Sequence, residues 1–566
     1  MARRSREKAP RAKVTDLSVT ELVAIVDRAK QAPLNPEDHA KLHVAMETLV
    51  FFTQELQRKS TSLKRLRRWL FGASTEKTDQ VLGATPEATR TESDPGVALA
   101  DGGTAPADGA TSPADGSSEP KGAKPKRPGH GRNPAAAYTG AERVKVSHPS
   151  LHTGDHCPGC EKGRIYPLKD PTELVRITGM APLSAKVYEC DRARCNLCGQ
   201  VFTAPPPEEV GTEKHDETAP AMIGLLKYGA GMPFNRIEKL QGGMGIPMPA
   251  ATQWDLVESA AEKLAPAHEE LIRQGAQGKV LHNDDTTMKV LEVTKEERLE
   301  ALGDENRTGV FTSGIVSIGV YSIALFFTGV KHAGENLADV LAQRAKELPR
   351  PIQMCDALSR NVKDAFDRIL ANCIAHCRRN FVDVIDAFPE ECRIVLEAFK
   401  EVYGFEATTR QQKLTDIERL QYHQTHSEPV MQKLHAWAQR QLDEKRVEPN
   451  SGLGDALNYL IDHWAKLTQF LKFAGAPLDN NICERVLKKA ILHRKNAYFY
   501  KTLAGAHVGD IFMSLIHTCE LNRVDPFDYL VELQRHEAQV KEKPSEWMPW
   551  NYRETLARLA SIPAVS

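Results

Sequence analysis

The chain carries almost no net charge. Its 566 residues include 74 Lys and Arg against 75 Asp and Glu, which leaves a formal charge of −1 with His neutral. A protein so close to neutrality has no global positive field to attract a polyanion. Any binding to nucleic acid must therefore depend on local basic patches. The length allows about three to five domains.

The basic N-terminus MARRSREKAPRAK also lacks an apolar core, so a secretory signal is not expected. Without such a signal, eleven cysteines favour a reducing cytoplasm over paired disulfides. The uncharged stretch 308–330 is long enough to cross a bilayer. However, its β-branched residues and Gly319 favour two buried strands in a hairpin, VFTSGIVSI and VYSIALFF. With 41% hydrophobic and 26% charged residues, the composition excludes a wholly disordered chain, a collagen and a polytopic membrane protein.

Residues 1–79 are expected to form a helical arm. Leucines recur every seven residues, at Leu42, Leu49, Leu56, Leu63 and Leu70. This spacing predicts a leucine zipper, through which the chain would form a homo-oligomer. The companion seam positions are less apolar, so an amphipathic helix packed within its own chain is the alternative. Residues 80–145 follow as a disordered linker rich in Ala, Gly, Pro and Ser, with a basic end.

Two CxxC knuckles predict a zinc-binding ribbon over residues 146–212. The four thiolates of Cys157, Cys160, Cys195 and Cys198 would close a tetrahedral structural Zn²⁺ site. Redox pairs or unpaired core cysteines are the alternative. Residues 213–276 read as helices broken by a glycine turn, compatible with a helix-turn-helix that binds DNA. Two packed helices without a DNA role would give the same pattern.

The part of the sequence that suggests a catalytic site begins at Lys279. A strand with acidic residues in its middle is followed by two apolar strands, a helix over roughly 334–348 and a short strand that ends in Asp356. This order predicts a ribonuclease H-like fold, in which the first carboxylate lies on the first strand and the second at the tip of the fourth. A later helix should supply the third acid, and Glu484 is the candidate.

Three convergent carboxylates suit phosphodiester chemistry with two divalent ions, because Mg²⁺ prefers oxygen ligands. Each acid also has a purely structural reading. Asp356 could cap the next helix, and Glu484 could be the partner of a cap at Asn481. Asp284 and Asp285 could be hairpin or surface acids. Strand alternation puts them on opposite faces, so that only one of them can point into the site.

Basic residues follow the third acid. From Asp479 to Lys501 there are six Lys and Arg against two acids, a local charge of +4 in a neutral chain. Such a strip suits a phosphate backbone, although a solvated helix face would look the same. The candidate DNA-binding residues are Arg378, Arg379, Arg485, Lys488, Lys489, Arg494 and Lys495.

The ordered motifs resemble the DDE transposases of bacterial insertion sequences, in particular the insertion-sequence-sixty-six family. They include LRRWLFGASTEK, GHGRNP, CPGC, RCNLCG, KYGAGMPFNRIEKLQ, HNDDTTMKVL, AHCRRNF, PLDNNICERVLKKAILHRKN and EWMPWNY. The resemblance implies that Asp284, Asp356 and Glu484 are the catalytic triad and bind two Mg²⁺ or Mn²⁺ ions. It also implies an enzyme that binds the terminal inverted repeats of its element, hydrolyses a phosphodiester at each end and transfers the freed 3′-hydroxyl to target DNA.

The implied core comprises a first part over residues 277–389, a helical insertion over 390–475 and the third-acid helix within 476–524, before a C-terminal tail over 525–566. The partners would be double-stranded DNA and possible accessory proteins encoded by the same element. A cytoplasmic protein, nucleoid-associated when bound to DNA, is expected. Two other classes stay open: a DNA-binding regulator without chemistry, and a nuclease that cuts but does not join.

Overall fold

The computed structural model describes most of the C-terminal two thirds of the chain and short stretches before it. The described residues are 19–30, 33, 35–46, 153–156, 162, 164, 182–194, 201–205, 207, 213–293, 309–363 and 366–561. The linker, the four knuckle cysteines and the leucines from Leu49 onward lie outside them. The zinc site and the zipper therefore stay predictions.

The chain divides into two compact units, residues 1–86 with 182–566 and residues 87–181. In the second unit, His156 and Arg164 form an isolated β-bridge, and the Arg164 guanidinium donates to the Gly154 carbonyl over 2.8 Å. The elements below belong to the first unit.

The strands are β1 (Arg192–Arg194), β2 (Val201–Thr203), β3 (Val280–Met288), β4 (Val310–Ile318), β5 (Ser322–Gly329), β6 (Ile352–Cys355) and β7 (Ile369–Asn372). The helices are α1 (Val19–Ala29), α2 (36–46), α3 (Thr218–Gly224, continued by a π-helical turn over Leu225–Gly229), α4 (Phe234–Gly243), α5 (Ala250–Gly275), α6 (Ala333–Leu341), α7 (Ile374–Val384), α8 (Pro389–Gln411), α9 (Asp416–Asp443), α10 (Gly452–Asp462), α11 (Trp464–Leu467), α12 (Asn481–Ala497), α13 (Leu503–Leu521), α14 (Pro526–Arg535), α15 (Glu537–Glu542) and α16 (Tyr552–Ala560).

The uncharged stretch forms the predicted hairpin. Strands β4 and β5 pair antiparallel on either side of Gly319, and most of their residues are buried. Among the described residues, no helix combines the length and the apolar character that a membrane span requires.

Five strands form one mixed sheet in the order β5-β4-β3-β6-β7. Strand β3 lies at the centre, antiparallel to β4 and parallel to β6. In chain order, the first strand of this sheet, β3, therefore lies between the second, β4, and the fourth, β6. This mixed α/β arrangement is compatible with the predicted ribonuclease H-like core.

Helices cover the sheet on both sides and give it two apolar cores. One core joins the sheet to α5, α12 and α13, and includes Leu325 and Phe512. The other joins β6 and β7 to α7, α8, α9 and α10, and includes Phe381 and Phe399. The segment between α7 and the third-acid helix contains α8 to α11, and residues 213–276 share the first core with the sheet.

One predicted helix is too long. Helix α6 ends at Leu341 rather than near residue 348, and the chain then turns. After the turn, the Arg344 guanidinium donates to the carbonyls of Ala276 and Gly278, at 2.7 and 2.8 Å. These bonds fix the end of α5 and the entry to β3, a tertiary contact that local sequence does not reveal.

Candidate active site

Strand register brings the first two acids to the same level of the sheet. The parallel pairing of β3 with β6 matches Val280 with Ile352 and His282 with Met354. Two residues further along the chain lie Asp284, in the middle of β3, and Asp356, directly after the end of β6, so both carboxylates lie at the same level. The lateral spacing of neighbouring strands, about 4.8 Å, brings such side chains within reach of one ligand.

One amide bonds both carboxylates. The Nδ2 atom of Asn361 lies 2.6 Å from Oδ1 of Asp356 and 3.2 Å from Oδ1 of Asp284. Asn361 is fully buried, and its carbonyl oxygen accepts from the side chains of Asn283 and Gln353. The bridge between the two acids is therefore held by the strands that carry them.

The pair is electrostatically strained without a cation. Burial, and then the nearby charge of Asp356, raise the pKa of Asp284 to about 7, although hydrogen bonds from the Asp285 amide and from Asn361 oppose the shift. A divalent cation would offset both causes, since it replaces lost hydration and neutralises the repulsion. The donor set, two carboxylates at one level of the sheet, fits a hard cation such as Mg²⁺.

Asp285 faces the other side of β3 and has its own partners. Its carboxylate lies 2.8 Å from Nδ1 of His332 and 3.2 Å from Nε of Arg360, and its side chain is only 1% exposed. The alternation of the strand thus separates two adjacent acids. The structure groups Asp284, and not Asp285, with Asp356.

Asn480 fixes the start of the third-acid helix against the sheet. Its side-chain oxygen lies 3.0 Å from Nδ1 of His282, and its amide donates to the Asn283 carbonyl over 3.2 Å. Its backbone N–H donates to Sγ of Cys373 over 3.2 Å. Because these contacts tie the helix to β3 and to the chain after β7, they set the position of Glu484 one turn later.

The Glu484 carboxylate faces helix α7. Its Oε1 atom lies 3.6 Å from Nδ1 of His376 and its Oε2 atom 4.0 Å from Nη2 of Arg379. It makes no hydrogen bond to the start of its own helix, so the capping reading finds no support. Among the described residues, the one group of three ligand-type side chains with all ligating atoms within 4.8 Å is Cys373, His376 and Glu484. The structure thus pairs Asp284 with Asp356 and places Glu484 beside His376.

Some of the candidate DNA-binding residues are exposed along one face of α12. Arg485, Lys488 and Lys495 are all exposed, at spacings that keep them on the same side of the helix. The opposite face is apolar and packs on β3 and β4. These three cations are therefore available to phosphates.

The remaining candidates have protein contacts. Arg494 donates to the side chains of Thr286 and Thr287 at the end of β3, and Lys489 lies 3.4 Å from Oε2 of Glu520. Arg378 and Arg379 lie on α7, half-buried and with partners of their own.

Sequence reasoning missed three polar residues of the site: Asn361, Asn480 and His376. His376 lies in the motif AHCRRNF, in which only Arg378 and Arg379 were candidates for a role. A signal for Asn480 did exist, since the Asn-Asn pair stands four residues before the third acid. Asn361 follows a strand in an ordinary turn and gives no such signal.

Comparison with known proteins extends these observations. The family model described as "Transposase IS66 family" matches residues 215–508, which contain all three candidate acids. Three proteins of Sinorhizobium fredii (strain NBRC 101917 / NGR234), all named as uncharacterized, are similar to the chain. Protein y4jD is 34% identical over 32% of this chain, and the alignment spans 36% of the relative. Proteins y4hP and y4qI are each 24% identical, over 75% and 76% of this chain and 77% and 79% of the relatives.

The family match covers more than half of the chain, including the sheet, the paired aspartates and the third-acid helix. The protein therefore belongs to the IS66 family of transposases.

Proposed function

We propose that the protein is a DNA transposase that cuts the ends of its insertion sequence and joins them to target DNA, with Asp284, Asp356 and Glu484 as its catalytic triad. The observation that carries the proposal is the register-matched pair of Asp284, in the middle of β3, and Asp356, directly after β6, which Asn361 bridges. This pair lies inside the region that the family model matches.

The acids suit Mg²⁺ or Mn²⁺. Asp284 and Asp356 would share one ion, and Glu484, whose Oε1 is buried and has no hydrogen-bond partner, would hold a second. Bound ions of this kind activate the attacking oxygen and stabilise the leaving one.

Apart from the metal ions, the reaction requires that the DNA be held in place. Arg485, Lys488 and Lys495 would bind the phosphates of the duplex beside the acids. A water oxygen attacks the phosphorus at the element end, the bond to the 3′-oxygen breaks, and a 5′-phosphate and a free 3′-hydroxyl remain. That hydroxyl then attacks a target phosphodiester, and the target 3′-oxygen leaves. Each step exchanges one P–O bond for another, so neither an oxidant nor a reductant is needed.

The N-terminal segments would support this reaction. Cys157, Cys160, Cys195 and Cys198 would hold a structural Zn²⁺, and the helical arm would pair two protomers so that two ends can be joined together. Residues 213–276 would add a DNA contact. Accessory proteins encoded by the same element are further possible partners.

A cleavage assay tests the proposal. The full chain is incubated with duplex DNA that carries an element end and its flank, with Mg²⁺ or with a chelator. We expect a Mg²⁺-dependent cut at the end that leaves a 3′-hydroxyl, and no cut with Asp356→Asn. Binding without a cut by the wild-type protein would identify a regulator instead. Pre-cut ends distinguish a transposase from a nuclease that cuts but does not join, because such a nuclease yields no linked product.

A further inference from the structure

Two buried polar atoms face each other next to the third acid, and neither has a hydrogen bond. They are Nδ1 of His376 and Oε1 of Glu484, 3.6 Å apart. Buried polar atoms without partners are uncommon in folded proteins, and each calls for an explanation. Here the two unsatisfied atoms lie on different helices, α7 and α12, and share one gap.

The size of the gap favours a cation between them. A separation of 3.6 Å is too long for a hydrogen bond. Metal–nitrogen and metal–oxygen bonds of about 2.1 Å each can together span up to about 4.2 Å. The other imidazole–carboxylate pair near the site gives a contrast: His332 and Asp285 approach to 2.8 Å, a direct hydrogen bond that leaves no room for an ion.

One sulfur atom fixes both sides of the gap. The Sγ atom of Cys373, the residue before α7, accepts the backbone N–H of Asn480, the residue before α12, over 3.2 Å. His376 lies three residues after Cys373, and Glu484 lies four after Asn480. The two helix starts are thus joined through a single acceptor, which sets the distance between their side chains.

Cys373 itself is an anchor rather than a third ligand. It is fully buried, and its Sγ atom already accepts the backbone N–H of Asn480 over 3.2 Å. A hard cation such as Mg²⁺ or Mn²⁺ prefers oxygen and imidazole ligands to sulfur.

We propose that His376, through Nδ1, is a ligand of the divalent cation that Glu484 holds. The inference rests on the proposed function, in which Glu484 is the third acid of the site. It adds a nitrogen to an otherwise all-oxygen set, and so predicts that this position binds Mn²⁺ more tightly than Mg²⁺, since imidazole ligands suit transition metals.

Electron spin-echo envelope modulation of bound Mn²⁺ tests this directly, because the method detects a nitrogen coordinated to the metal. The full chain is used without DNA. Mn²⁺ is the probe because thiolate knuckles select softer metals, so that the predicted zinc site does not compete. The variants are His376→Gln, His376→Asp and, as the matched control, His332→Gln.

We expect nitrogen coupling in the wild-type protein and in His332→Gln. The coupling should be lost in both His376 variants. The Kd for Mn²⁺ should rise about 10–100-fold in His376→Gln, and less in His376→Asp, which offers an oxygen in the same place. No bound Mn²⁺, no nitrogen coupling in the wild type, or a coupling that persists in both His376 variants would overturn the inference.

The cleavage assay keeps the two proposals apart. A wild-type protein that cuts DNA with Mg²⁺ but shows no nitrogen coupling overturns the role of His376 and leaves the transposase assignment standing. A nitrogen coupling that depends on His376, in a protein that never cuts, overturns the proposed function and supports the metal ligand.

Discussion

At the scale of single residues, the site depends on which face of β3 a side chain takes. Asp284 and Asp285 are neighbours in sequence, yet their partners differ. Asp284 shares the side-chain amide of Asn361 with Asp356, whereas Asp285 is bound by His332 and Arg360. Sequence reasoning could predict this separation, because alternation along a strand is a local property. The partners on each side come from distant segments and could not be predicted.

The two aspartates should therefore respond differently to the same change. Asp284→Asn should lower the rate of end cleavage about 100-fold or more, since it weakens the hold on the ion that would stabilise charge at the reacting phosphate. Asp285→Asn should leave cleavage measurable at low temperature and instead lower the melting temperature, because it breaks a buried ion pair. Gel assays of cleavage beside thermal unfolding of both variants check this, and the reverse pattern would make Asp285 the metal ligand.

A second residue-scale prediction concerns Asp510, a buried acid outside the site. Burial raises its pKa to about 7, although hydrogen bonds from the Thr328 backbone and hydroxyl, at 2.6 and 2.7 Å, oppose the shift. The ordinary pKa of an unfolded aspartate is near 3.8. The protonated form of Asp510 therefore contributes its full stability below about pH 3.8, and this contribution is lost as the pH rises through about 7.

Asparagine at this position does not titrate. Asp510→Asn should raise the melting temperature at pH 8 by about 2–4 °C, and should change it less at pH 4. Thermal unfolding at both pH values is the measurement. An equal shift at the two values would show that ionisation of Asp510 does not matter for stability.

At the scale of elements, the close packing of α12 on the sheet sets the depth of the third acid. Gly314 lies on β4 beneath Leu487 of α12, and a Cβ at Gly314 would approach Cγ of Leu487 to 2.9 Å. The Cys483 thiol also donates to the Gly314 carbonyl over 3.3 Å. The helix can lie this close to the strand only because residue 314 has no side chain.

Gly314→Ala should push α12 outward and move Glu484 with it. We expect cleavage to fall about 10-fold or more with little change in the Kd for DNA. The double variant Gly314→Ala/Leu487→Ala should recover part of the activity. Gly329→Ala on β5 is the matched control, because a Cβ there meets nothing within 4 Å. Normal cleavage by the single Gly314 variant would show that the helix position is not critical.

Elements were largely predictable where their signals are local. The hairpin follows from two apolar runs around Gly319, and the insertion follows from helical periodicity. The end of α6 was not predictable, because the chain turns where Arg344 bonds the segment before β3. The meeting of α7 and α12 at Cys373 joins residues 107 apart in sequence, and no local pattern reports it.

At the scale of the whole molecule, a chain with a net charge of −1 can attract DNA only through a local basic surface, which the proposed function requires. The proposed surface is formed by Arg485, Lys488 and Lys495, which are exposed on α12, the helix that also carries Glu484. Replacing all three with alanine should weaken DNA binding and make the dependence of log K on log salt less steep by about 2–3 units, since each phosphate contact contributes about 0.9.

Lys489→Ala gives the control for that titration, because Lys489 lies 3.4 Å from Glu520 and is partly satisfied within the protein. Fluorescence anisotropy with labelled duplex over a range of salt concentrations measures both variants. An unchanged slope in the triple variant would show that DNA enters the site by another face.

The central claim is that three acids distant in sequence act together on DNA, and a joining assay tests it most directly. Pre-cut element ends and a circular target are incubated with Mg²⁺ and either the wild-type protein or Glu484→Gln, while anisotropy records binding to the same ends. We expect joined product with the wild type, and equal binding but no joined product with the variant. Joining by Glu484→Gln at the wild-type rate would contradict the claim.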